Sequence, residues 1–177
     1  MRVLLVSGST RRGSANTAAL ATAAQLAPDR VRIDRYDGLA ELPAFNPDDD
    51  GDRLPPKAAE LRTRIAAADA VLFCTPEYAG NLPGSFKNLL DWTVGGGEIY
   101  EKPAAWINVA AERRGAAATA ALAGVLGYVG AAIIEPACRH IPVDRKTIGP
   151  DGLVRDSQFA EGIAQVWTAI LSHLESK

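Results

Sequence analysis

Short apolar runs alternate along this chain with longer stretches of helical spacing. Four runs are almost wholly apolar: Val3-Leu4-Leu5-Val6, Ala70-Val71-Leu72-Phe73-Cys74, Ala104-Ala105-Trp106-Ile107-Asn108-Val109 and Ala131-Ala132-Ile133-Ile134. Runs of that length predict strands buried on both faces. Val31-Arg32-Ile33-Asp34-Arg35-Tyr36 alternates apolar and charged residues instead, which suits a half-exposed edge strand. Helical stretches lie between: Ala15–Leu26, with Ser14 or Asn16 near its N-cap and Pro28 beyond it, and Lys57–Ala68, with Leu61 and Ile65 one turn apart. Further helices are predicted from Pro83 to about Trp92, over Ala116–Tyr128 and over Phe159–Leu174. Residues 38–56 read as a long polar loop and Gly95-Gly96-Gly97 as a flexible break.

Strands that alternate with helices imply a parallel sheet with helices on both faces. Five strands fit the order 2-1-3-4-5, with the first, third and fourth inside and the alternating second at an edge. The fifth run is short enough for the other edge. Ligands of such a sheet bind beyond the carboxyl ends of the strands, where the order reverses between strands one and three. No repeat or linker divides the chain, so residues 1–177 are expected to form one domain.

Composition narrows the class. With 47% hydrophobic and 23% charged residues and a net charge of −2, the chain suits a soluble globular protein and gives no basic surplus for nucleic acid. Cys74 and Cys138, far apart in sequence, are expected to be reduced thiols. The N-terminal apolar run turns polar at Ser7, too soon for a signal peptide, and no run reaches membrane-spanning length. A cytoplasmic location is expected.

The two loops at the predicted order reversal carry the chemistry. Gly8-Ser9-Thr10-Arg11-Arg12-Gly13-Ser14-Ala15-Asn16-Thr17 joins the first strand to a helix. Its glycines allow tight turns, its hydroxyls and amide offer polar contacts, and its arginines suit phosphate oxygens. The helix that follows aims free N–H groups at the same place. The spacing Gly8-x4-Gly13-Ser14 approaches a nucleoside-triphosphate loop, but Ser14 and Ala15 stand where Lys and Ser/Thr are required. G-x-G-x-x-G is also missing, so a phosphate monoester is the better guest. The second loop, Thr75-Pro76-Glu77-Tyr78-Ala79-Gly80-Asn81-Leu82-Pro83, follows the third strand and can hold a flat ring with a polar edge. A phosphate loop and a ring loop on neighbouring strands suggest flavin mononucleotide. An ordinary polar strand-to-helix turn is the plain alternative for the first loop.

Taken together, Gly8-Ser9-x-Arg11-x-x-Ser14-x-Asn16-Thr17 and Pro76-Glu77-Tyr78-x4-Pro83-Gly84-x-x-Lys87-Asn88-x-x-Asp91-Trp92 resemble the NAD(P)H-dependent FMN reductase family. The resemblance implies an α/β flavodoxin-like three-layer sandwich with a five-stranded parallel sheet. It implies FMN as cofactor and NADPH or NADH as co-substrate. Ser9, Arg11, Ser14, Asn16 and Thr17 would hold the FMN phosphate. Pro76, Glu77, Tyr78 and Ala79 would line the ring, largely through backbone groups, with Asn81 adding a side-chain contact. Lys87, Asn88, Asp91 and Trp92 would fix the helix under the loop. The family implies a homodimer near this region, with Trp92 toward the partner, and leaves a tetramer open. Two departures stand out. Ala79 occupies a position where Asn is frequent, so a side-chain contact is lost. In the third loop, Val109-Ala110-Ala111-Glu112-Arg113-Arg114-Gly115, Arg114 replaces the first glycine of a Gly-Gly pair. Ala110, Ala111 and Glu112 would keep backbone contacts to the ring edge. Arg113 or Arg114 would be either solvated or set against the phosphates of a nicotinamide donor.

Other signals carry less. Asn46-Pro47-Asp48-Asp49-Asp50-Gly51 opens like a calcium loop, but Lys57 stands where a bidentate Glu is required, so an exposed acidic loop is expected. His140 and His173 have no clustered ligands. Cys74 is read as a packing residue, with redox sensitivity as the alternative, and the alanines from Ala116 to Ala123 as core. The activity expected is transfer of reducing equivalents from NAD(P)H through FMN to a small-molecule acceptor, namely a quinone, azo compound, metal oxyanion or free flavin. Alternating use of one site implies ping-pong kinetics and no strict catalytic side chain, with Tyr78 and Glu112 shaping the substrate site. The alternatives are a flavodoxin-type electron carrier and a regulatory protein with a vestigial flavin site.

Overall fold

The computed structural model describes residues 1–51 and 53–176. Its strands are β1 (Arg2–Ser7), β2 (Arg32–Tyr36), β3 (Ala70–Cys74), β4 (Pro103–Asn108), β5 (Ala132–Ile133) and β6 (Arg139–His140). Its helices are α1 (Ala15–Gln25), α2 (Pro56–Ala67), α3 (Gly84–Asp91), α4 (Ala116–Tyr128) and α5 (Ser157–Glu175). All strand pairs are parallel and the order is β2-β1-β3-β4-β5, as the hydrophobic pattern implies. β6 is an addition. The last strand breaks at a turn over Glu135–Ala137, and β6 resumes beside Ile107 and Asn108 at the far end of β4.

Period-two alternation sends the strand side chains to two cores. Val3, Leu5, Leu72, Cys74, Ala105 and Ile107 pack against α1 and α5. Leu4, Val6, Val71, Phe73 and Ala104 pack against α2, α3 and α4. β3, buried at every position, lies between β1 and β4, so the loops after these three strands emerge side by side. No helix among the described residues is long and apolar enough to cross a membrane.

The long loop between β2 and α2 is tied to α3. Asn88 donates to the Pro43 carbonyl at 2.8 Å and accepts from the Phe45 amide at 2.7 Å. Trp92 Nε1 also donates to the Pro43 carbonyl, and its ring meets the edge of Phe45. Trp92 is therefore fully buried within its own chain and cannot face a partner. Asp50, expected in an exposed acidic loop, is instead paired at 2.6 Å with the buried Arg62. The alanines of α4 also divide. Ala118 is core, whereas Ala116, Ala117 and Ala120 are exposed.

Candidate functional site

β1 ends in a loop whose hydroxyls are spent mostly on its own shape. Ser14 is the N-cap of α1, and its Oγ accepts from the Thr17 amide at 3.0 Å. The Thr17 hydroxyl sits between Ser14 Oγ at 2.9 Å and Ser7 Oγ at 3.2 Å. Ser9 donates its amide to Ser7 Oγ and accepts from the Arg11 amide. Gly13 takes a left-handed φ of 63° at the tip. What this leaves for a guest is the amides of Ala15 and Asn16 in the first turn of α1 and the side chains of Arg11 and Arg12. Both arginines are exposed and join no ion pair among the described residues.

Gly8 anchors this loop to the next. Its amide donates to the Cys74 carbonyl at 2.8 Å. A Cβ at Gly8 would run into the Thr75 hydroxyl and lie 2.9 Å from Phe86 Cγ. Only glycine lets the two loops come this close. Asn16 is buried beneath them and accepts from the Cys74 thiol at 3.2 Å. Burial pushes that thiol far above its ordinary range, so it stays protonated as a donor. This removes the reactive thiolate that redox sensitivity would need. Cys138 is half-buried, and its thiol is pushed up to about 11 chiefly by burial.

After β3 the chain makes a two-residue hairpin turn. The amides of Tyr78 and Asn81 each donate to the other's carbonyl at 3.0 Å. The central residues Ala79 and Gly80 both have positive φ, 50° and 71°. Asn-Gly is the favoured pair for such a turn, and alanine pays a steric penalty in it. Asn at this position therefore has a conformational reason as well as any ligand contact. Asn81 Oδ1 is occupied by the amide of Leu82 at 2.7 Å.

Glu77 has a role that its motif does not reveal. Its Oε2 accepts from the amides of Ala117 and Ala118, at 3.0 and 3.1 Å. The N-cap residue of α4 is Gly115, which has no side chain to serve these groups. The ring loop thus caps the helix that follows the third loop, and the positive end of that helix favours the carboxylate. The third loop is fixed from two more sides. Asn108, buried at the end of β4, donates to the Arg114 carbonyl at 3.1 Å and accepts from the Ala110 amide at 3.0 Å. His140 Nε2 donates to the Ala110 carbonyl at 2.8 Å. Arg113 takes a φ of 64° to complete the turn, and Gly115 approaches Asn108 where no Cβ would fit.

These loops enclose a cleft of about 590 Å³ at the carboxyl ends of β1, β3 and β4. Of the residues expected at the site, Asn16, Pro76, Glu77, Ala110 and Ala111 line it. Ser9, Arg11, Ser14 and Thr17 form the adjoining loop at the start of α1. Tyr78, Ala79, Asn81 and Glu112 are exposed and are not part of the lining. Val143 and Arg145, which no sequence motif marks, do line it, together with Arg114. They arrive because the segment after β6 runs along the third loop, with the Val143 amide donating to the Val109 carbonyl at 3.1 Å. A second cavity, between β1, β2 and α1, holds only about 80 Å³. It is too small for a nucleotide.

Comparison with known proteins shows the family and the fold. The profile of the family described as NADPH-dependent FMN reductase matches residues 1–144. The NAD(P)H-dependent FMN reductase PA1204 of Pseudomonas aeruginosa is 40% identical over 119 residues, which make up 66% of this chain and 64% of that protein, just under two thirds of its length. The 2-hydroxy-1,4-benzoquinone reductase of a Burkholderia species is 34% identical over 86% of this chain and 84% of that protein. Among solved structures, FerB, a flavoenzyme NAD(P)H:(acceptor) oxidoreductase from Paracoccus denitrificans, superposes with a TM-score of 0.87 at 30% identity, covering 99% of this chain and 97% of its own.

Proposed function

Since this chain belongs to the NADPH-dependent FMN reductase family, we propose that it is an FMN-dependent oxidoreductase that takes hydride from NAD(P)H and reduces a small-molecule acceptor. The observation that carries this is the cleft at the amino end of α1, whose lining joins the small and apolar Ala15, Pro76, Ala110 and Ala111 to the polar Asn16 and Thr75. Its chemistry fits a flavin nucleotide. Free helix amides and two unpaired arginines offer a phosphate site, and Pro76, Ala110 and Ala111 offer flat apolar and amide surface for a ring.

In this reading Arg11 and the first turn of α1 hold the phosphate, with Ser9, Ser14 and Thr17 keeping the loop in shape and Asn16 beneath it. The backbone from Pro76 to Ala79 runs along one edge of the ring. The backbone from Ala110 to Glu112 runs along the other, and Asn81 offers its remaining amide protons nearby. When bound, FMN supplies the redox chemistry, hydride acceptance from the donor and electron delivery to the acceptor. The protein's residues bind, orient and leave one face open, so donor and acceptor use the same cleft in turn and kinetics are ping-pong. No side chain is assigned as an acid or base. Quinones lead the acceptors, supported by the named activity of the Burkholderia relative. Azo compounds, metal oxyanions and free flavins remain acceptors to be assayed. The whole chain is proposed to act as one FMN-binding domain.

The proposal includes a homodimer. α4 has no charged residue over its thirteen positions, and Tyr128 at its end is 90% exposed, while Tyr100, whose ring lies against Gly130, is 63% exposed. A large uncharged face of this kind suits a second copy of the same surface. Sedimentation velocity of the wild type and Tyr128→Glu reads it, a shift from dimer to monomer being expected.

Reconstitution tests the activity. Protein incubated with FMN and freed of excess flavin should retain stoichiometric FMN and oxidise NADPH or NADH in the presence of benzoquinone, with parallel double-reciprocal lines. Retained flavin with no nicotinamide turnover would make the protein an electron carrier. Failure to retain FMN would remove the site assignment.

A further inference from the structure

The loop after β1 already supplies the phosphate chemistry that one FMN needs, through Arg11, Arg12 and the amino end of α1. The lining of the cleft carries two further cations, Arg114 and Arg145. Neither joins an ion pair among the described residues. The carboxylate on the same lining is Glu77, and it is committed to the amides of Ala117 and Ala118. The carboxylate next to Arg145, Asp144, is committed to the Lys146 amide at 3.0 Å. Neither carboxylate is bonded to Arg114 or Arg145, so both guanidinium groups keep their donors for a ligand.

Both arginines stand on fixed backbone. The Arg114 carbonyl accepts from Asn108, and its amide closes a turn onto the Ala111 carbonyl at 3.0 Å. Arg145 begins a short turn two residues beyond Val143, whose amide is bound to Val109. It lies just past residue 144, the end of the stretch matched by the family profile. Two guanidinium groups on anchored loops carry the charge and the planar donor forks that a dianionic phosphate monoester takes. A pyrophosphate spreads one charge over each phosphorus and is common to both nicotinamide donors.

We propose that Arg145 and Arg114 form a clamp for the 2′-phosphate of NADPH and set a preference for NADPH over NADH. The assignment builds on the proposed reductase function and deepens it by naming the donor. Arg145 and Arg114 are specificity residues, distinct from the groups that hold FMN.

The test compares FMN-loaded wild type, Arg145→Ala, Arg114→Ala and Arg145→Lys. Wild type should show a kcat/KM for NADPH about tenfold or more above that for NADH. Each alanine variant should lose about tenfold for NADPH through KM, with NADH changed less than twofold and FMN affinity unchanged. Arg145→Lys should recover only part, because an ammonium lacks the fork. Equal losses with both donors, or no loss with either, would overturn the clamp. A calorimetric titration of the FMN-loaded protein with adenosine 2′,5′-bisphosphate and with adenosine 5′-monophosphate separates this from the reductase assignment. Tighter binding of the bisphosphate that Arg145→Ala abolishes would support the clamp even in a protein that turns over neither donor. Equal binding of the two probes would refute it whatever the turnover.

Discussion

The loop after β1 and the pair of loops after β3 and β4 face one cleft but are built on opposite plans. In the first, hydroxyls bond to neighbouring residues of the same loop, and the arginines are left exposed with no ion pair among the described residues. In the second, polar side chains reach across between segments, Glu77 to α4 and His140 to Ala110, while Asn108 at the end of β4 braces the loop that follows it. What the second region brings to the cleft includes the small and apolar residues Pro76, Val109, Ala110 and Ala111, with Glu77 already bonded to α4 and Arg114 beside them. The difference follows from what each would bind. A phosphate needs charge and amides, whereas a ring needs flat walls at a fixed spacing, and fixed spacing requires struts. Motif residues on the ring side are therefore scaffold as much as contact.

Four substitutions probe that contrast. Gly8→Ala strikes where the two regions touch. The added methyl would meet Thr75 and Phe86, both buried, and should destabilise the fold by about 3 kcal/mol while weakening FMN binding. Urea unfolding measures it, and an unchanged midpoint would mean that the loops are not pressed together.

Glu77→Ala removes a strut and leaves two helix amides unserved. A cost of about 2 kcal/mol is expected, with Glu77→Gln recovering part of it. If Glu77 instead met the ring through its side chain, FMN affinity would fall without any loss of stability in the apoprotein.

Arg11→Ala tests the opposite plan. It should weaken FMN about tenfold, or about 1.4 kcal/mol, and leave unfolding of the apoprotein within about 0.5 kcal/mol of wild type. Flavin fluorescence titration reads the first and urea unfolding the second. Unchanged affinity would take Arg11 out of the phosphate site.

Ala79→Asn is the smallest and has the opposite sign. It relieves a left-handed alanine in the hairpin turn and should raise stability by about 1 kcal/mol or less. A loss of stability would mean that the turn depends on something besides its φ angles.

The strands, their order and the two loops at the order reversal were legible in the sequence because period and turn chemistry are local signals. β3 agrees residue for residue with its apolar run, and α4 with its alanine-rich stretch. What was not legible came from long-range pairing. Arg145 reaches the cleft because two residues of β6 extend the sheet beside β4, and Arg-His is no strand signal. Glu77 caps a helix that begins forty residues later, and the need for that cap shows only once Gly115 is known to be its N-cap. The resemblance sets Trp92 toward a partner, and nothing local to its helix shows that the 43–45 segment folds back over it. His140, set aside for want of metal ligands, is a strut of the third loop.

The central claim is that these struts hold an open ring site at which a nicotinamide donor reacts. It is tested most directly by mixing FMN-loaded protein with NADPH, and separately with NADH, in a stopped-flow instrument without oxygen, following flavin absorbance. Rapid bleaching at a rate that saturates with donor, faster at low concentration with NADPH, is the predicted result. A firmly bound flavin that neither donor bleaches would contradict the account.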